Sequence, residues 1–112
     1  MYPSQPTEKQ LLKQVLEPLL QDFEYWFSRS HSLLESERMS FLSLEEQTNL
    51  LEKIEEAHQE VKTAIMLFNV TDGQAGIDTN LVMYWHQLVS QCWAITRQWR
   101  IINEQLTIDD GH

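Results

Sequence analysis

Leu11, Leu12, Val15, Leu16, Leu19, Leu20, Phe23, Trp26, Phe27, Leu33 and Leu34 recur mostly at spacings of three and four. At about 100° per residue they fall within roughly half the circumference of a helix. The pattern predicts a first helix from Thr7, where Thr7-Glu-Lys-Gln10 has the form of a capping box, to Ser36. A stripe this wide faces two neighbours. Pro18 falls on the opposite, polar face, so it is expected to bend the helix and cost one hydrogen bond without ending it.

Ser43-Leu-Glu-Glu46 is a second capping box, and it opens a predicted helix to Val70. Leu51, Ile54, His58, Val61, Ile65 and Phe68 form its seam, widened by Leu50, Ala57 and Ala64. Turn residues fill Thr71-Asp-Gly-Gln-Ala-Gly-Ile-Asp78, and Asp78 or Thr79 can cap a third helix ending near Leu106. That helix carries the most regular repeat in the chain, Leu81, Trp85, Leu88, Cys92, Ile95, Trp99, Ile102 and Leu106, flanked by Val82, Val89 and Trp93. Three helices of similar length with short connections predict an all-α, antiparallel up-down-up three-helix bundle with crossing angles near 20°. Its core is expected to bury Trp26, Leu51, Ile54, Cys92 and Trp99. A chain of 112 residues has room for one such domain, with residues 1–6 and 107–112 as flexible ends.

Charge narrows the range of partners. Seventeen acidic against eight basic residues leave a formal charge of -9, with no run of Lys or Arg. Nucleic-acid binding depends on cationic side chains that neutralise phosphates, so DNA and RNA are disfavoured, and anionic membrane surfaces with them. The segment from Met1 to Pro6 lacks the features of a secretory signal, and no apolar run approaches the roughly 20 residues of a membrane span. The single Cys92 cannot form an internal disulfide. The expected setting is cytoplasmic.

Few residues suggest chemistry. Glu55 and His58 have the Glu-x-x-His spacing of di-iron bundles, but the second copy and the inward-facing carboxylates of such a site are missing. His58 therefore reads as a seam histidine, hydrogen-bonded or half-exposed. Cys92 sits mid-stripe, where burial makes a thiol inert. His31 and His112 read as surface or tail residues without partners; Arg97 as packing against Trp93; Arg100 as a solvated pair with Glu104. No phosphate loop or nucleophile elbow is present. The expectation is a non-enzyme without cofactor or metal.

Phe23-Glu-Tyr-Trp-Phe-Ser-Arg-Ser30, Met66-Leu-Phe-Asn-Val-Thr-Asp-Gly-Gln-Ala-Gly76 and Trp85-His-Gln-Leu-Val-Ser-Gln-Cys-Trp93 together resemble a family of small cyanobacterial proteins classed only as a domain of unknown function. The resemblance spans Leu11 to Trp99. It implies a cyanobacterial source and a cytosolic or thylakoid-surface setting, and it brings no activity, cofactor or catalytic residue.

Met66, Leu67, Val70, Ile77 and Met83 remain outside the three stripes, at the end where the second helix finishes and the third begins. Unassigned apolar residues that gather in this way predict a contact surface for a protein partner or a second copy of the chain. The expected function is accordingly a protein–protein interaction module. The alternative is a small-ligand or pigment carrier holding its ligand between the first and third helices near Trp85 and His86.

Overall fold

The computed structural model describes residues 8–73 and 77–110, so the Thr7 cap and residues 1–6 lie outside it. Three helices account for nearly all of the described residues: α1 (Glu8–Ser36), α2 (Leu44–Val70) and α3 (Thr79–Asp110). Pro18 is accommodated inside α1 on an exposed position, where the carbonyl it leaves unbonded can meet solvent. The Ser43 hydroxyl accepts from the Glu46 backbone N–H while the Glu46 carboxylate accepts from the Ser43 N–H, closing the predicted capping box. These backbone and hydroxyl bonds hold the Glu46 carboxyl below the usual carboxylate range. Asp78 caps α3, its carboxylate accepting from the Asn80 N–H at 2.8 Å. With no Gly or Pro before Gly111 to stop it, α3 runs on to Asp110, past the predicted end at Leu106 and through much of the expected tail.

Cross-helix contacts fix the directions. Lys13 meets Asp72 and His31 meets Glu55, so α1 and α2 are antiparallel. Phe23 packs on Trp85 and Trp26 on Trp93, so α3 runs parallel to α1. The bundle is up-down-up, with α1 packed closest on α2, less closely on α3, and α2 and α3 approaching each other least.

The core is a column of Leu20, Phe27, Ile54, Val61, Phe68 and Trp85, all almost or wholly inaccessible. Phe23 stacks on Phe27 at 6.2 Å and meets Trp85 edge-on at 5.8 Å. Ile54 and Cys92 are buried as expected, whereas Trp26, Leu51 and Trp99 are only half-buried. These three occupy the margins of the seams that α1 makes with its neighbours, so one side of each packs on the core and the other meets solvent.

The connection from α1 to α2 folds inward. Met39 is completely buried, and Phe41 and Leu42 pack beside it. In the other connection Asp72 and Gly73 have φ of 53° and 79°, the left-handed region, which lets Gly73 N–H bond the Phe68 carbonyl at 2.7 Å. The Lys13 stem lies over Gly73, within 2.9 Å of where a Cβ would stand, and its ammonium pairs with Asp72. Their hydrogen bond, and after it the charge of each, favours the partner's ionised form, which raises the Lys13 pKa and lowers that of Asp72.

Candidate functional site

The five unassigned apolar residues do come to the end of the bundle that holds the α2–α3 connection, but they do not form one surface. Met66 and Val70 lie roughly 160° around α2 from the buried Phe68, at 63 % and 79 % exposure, with Leu67 beside them on the flank toward α3. Leu67 also lines a groove of about 430 Å³ between α2 and α3, together with Ala64, Ile77 and Leu81 and with Glu60 and Asp78 at its edge. Ile77 is half-buried against the core. Met83 projects from α3 roughly 160° from the buried Trp85, away from both neighbours. Met66, Leu67, Val70 and the groove therefore make one continuous strip, and Met83 stands apart.

The polar groups singled out by the sequence are distributed differently from the expectation. His31 is not without partners: its Nε2 lies 2.8 Å from the Glu55 Oε1 and its Nδ1 3.2 Å from the Glu35 Oε2, bridging α1 to α2. Glu55 is thereby engaged by His31, and His58 lies beside that pair in a shallow depression of the α1–α2 seam. His58 is half-buried, and its Nε2 is inaccessible and unpartnered among the described residues. Burial pushes the imidazole pKa below its ordinary value, Lys62 and His31 add to this, and Glu24 opposes it. Among the described residues no three His, Cys, Asp or Glu side chains converge as metal ligands.

Cys92 is buried in the core and raised in pKa by that burial, against a smaller lowering from its hydrogen bond with Ser30. That environment is expected to keep the thiol unreactive. Trp85 is wholly buried while its neighbour His86 is exposed, so the pair does not line a common cleft. Arg100 and Glu104, one turn apart on α3, form no ion pair among the described residues, contrary to the expected solvated pair.

For one polar centre the sequence shows the core-facing position, as it does for Ser30, but not the bonds it makes. Gln47 is buried at the far end of the bundle, and its amide makes four bonds. Nε2 donates to the carbonyls of Leu34 and Glu37, both at 2.8 Å, which would otherwise be left open where α1 ends. Oε1 accepts from the Met39 N–H at 2.9 Å and from Arg38 at 2.8 Å. Its place on the buried face of α2 marks it as a core-facing polar residue, but its partners depend on how the connection folds.

The protein is thus an all-helical bundle of three helices in which, among the described residues, none is long and apolar enough to cross a membrane. It belongs to the DUF2605 family, described as proteins of unknown function, whose sequence model matches residues 6–101. No curated protein and no solved structure matches the chain.

Proposed function

We propose that this chain is a non-catalytic protein-interaction module that engages a protein partner, or a second copy of itself, through the strip formed by Met66, Leu67 and Val70 and the adjoining groove. One observation carries the reading: three large apolar side chains lie more than half exposed over the last turns of α2, contiguous with an apolar groove. Burying a side chain of this size is worth roughly 1.5–3 kcal/mol, so leaving three in water forgoes stability that a partner can recover. Methionine at the centre of such a strip adapts to the surface that covers it. On this reading the module works in the cytoplasm of a cyanobacterium, as the resemblance of its aromatic and turn segments implies.

The test is site-specific. A photo-crosslinking amino acid at Met66 should trap one discrete species in cells of the source organism, while the same group at Glu52, on the acidic part of α2, should trap none. Met66→Glu combined with Val70→Glu should abolish that adduct when the crosslinker is moved to Leu67, with helicity unchanged by circular dichroism. Met83→Glu should leave it intact. Unfolding of the double variant would make these residues core, and a crosslink that survives both charges would place the contact elsewhere.

A further inference from the structure

The charge of the chain is not evenly spread, and its exception is as clear as its rule. The α2 helix carries six glutamates against two lysines, whereas α3 has no carboxylate from Thr79 to Asn103, only Arg97 and Arg100. On α1, Arg29 is the lone residue of fixed charge between Glu24 and Glu35. The parallel packing of α1 and α3 brings this acid-free stretch of each helix into one seam, bounded on α1 by Glu24 and Glu35 and on α3 by Glu104.

Aromatic side chains fill that seam. Tyr25 meets Trp26 edge-on at 5.1 Å, and Trp26 meets Trp93 edge-on at 5.5 Å. Trp93 is 40 % exposed although it belongs to the flank of the core. Beside them opens a cleft of about 230 Å³ lined by Trp26, Arg29, Leu33, Thr96, Trp99 and Arg100. The guanidinium of Arg29 is already positioned, donating to the Tyr25 hydroxyl at 3.0 Å and lying 5.9 Å from its ring. Arg97 and Arg100 are exposed and have no ion-pair partner among the described residues. Trp, Tyr and Arg are the residue types that dominate binding energy at protein interfaces.

We propose that the α1–α3 seam is a second docking surface, independent of the strip on α2, and that its occupant is an acidic segment of a partner protein with an aromatic or aliphatic anchor for the cleft. Charge complementarity selects this occupant. A two-fold contact with another copy would press arginine against arginine, which is penalised. A long polyanion such as nucleic acid would feel the -9 charge of the whole chain, whereas a short acidic segment need meet only the local arginines.

The four tryptophans supply the readout, three along the seam and Trp85 buried away from solvent. Titrating ¹⁵N-labelled protein with a synthetic peptide of alternating Asp-Glu and Phe or Leu should shift the indole signals of Trp26, Trp93 and Trp99 saturably while Trp85 stays in place. The same peptide with Lys for each acid should produce no shift. Arg97→Glu with Arg100→Glu should weaken acidic-peptide binding about tenfold or more, and Arg97→Gln with Arg100→Gln by less. Both positions are exposed, and thermal melts establish that the variants fold. Met66→Glu with Val70→Glu should bind the peptide unchanged, which separates this surface from the strip on α2. Absence of a shift at about 1 mM peptide, an equal response to the Lys peptide, undiminished binding by the Glu variant, or tighter binding of a thymidine oligonucleotide would each overturn the proposal.

Discussion

Trp85→Ala is expected to cost about 3–5 kcal/mol, among the largest losses from truncating a core side chain of this protein. The indole is wholly buried, stands edge-on against Phe23, and links α3 to the aromatic column of α1. Alanine would leave a cavity that the surrounding helices can only partly close. Trp85→Phe makes the argument sharper. The Trp85 indole N–H is buried without a partner among the described residues, so the native side chain already bears a desolvation cost that phenylalanine removes. The lost ring volume and the removed polar group oppose each other, and the expected net cost is below about 2 kcal/mol. Urea denaturation of the three proteins measures both values; equal losses for Ala and Phe would mean that ring volume is not what Trp85 contributes.

Gln47→Ala is expected to destabilise the fold by about 2–4 kcal/mol, far more than removal of a polar side chain from an exposed helix face. Four hydrogen bonds converge on this one amide, and alanine would strand the Leu34 and Glu37 carbonyls together with the Met39 N–H. Gln47→Glu separates donation from acceptance. A carboxylate can still accept from Met39 and Arg38 but can donate to neither carbonyl and is repelled by both. Burial and the two carbonyls raise its folded-state pKa, Arg38 and the Met39 N–H oppose this, and the expected net shift is upward, so the unfolded chain gives up its proton first as pH increases. The contribution of the protonated group is present at low pH and is lost as pH rises through the folded pKa. Denaturation midpoints should place the Glu variant near Gln47→Ala at about pH 8 and closer to the native protein at about pH 4. A pH-independent difference between Glu and native would show that the donor side of the amide is unimportant.

The helices themselves were legible because the sequence states both their period and their starts. Ser43 and Glu46 formed their box where expected, and Asp78 took the cap offered to it. What one helical wheel cannot show is how far each flank is covered by the next helix. Trp26 and Trp99 lie within their stripes yet remain half-exposed, since covering them depends on the distance between axes rather than on spacing along either one. Connections were harder still. Met39 sits in a short apolar run between two helices, and its complete burial follows only once Gln47 holds its backbone. For His31 the spacing offers Glu35 one turn on, whereas Glu55 is brought across only by the packing of α2. The loop-end residues were correctly placed at one end by topology, while their division into a strip and an outlying Met83 required the orientation of each helix about its own axis.

The central position of α1 also sets an order of assembly. Its contacts with α2 close across a short connection, and the Gln47 amide tethers the two helices where the chain turns. Contacts between α1 and α3 must instead close a loop that contains all of α2, a longer and entropically costlier closure. The backbones of α2 and α3 approach each other less closely than either approaches α1, so α1 is the main surface on which α3 packs. The hairpin of α1 and α2 is therefore expected to form the folding nucleus, with α3 docking onto it afterwards. Kinetically, Ala57→Gly in the α1–α2 seam should slow folding, whereas Trp93→Ala should chiefly hasten unfolding; the reverse pattern would mean that α3 is part of the nucleus. The aromatic face that α3 completes is then the last feature of the molecule to appear during folding and the first to be lost when it opens.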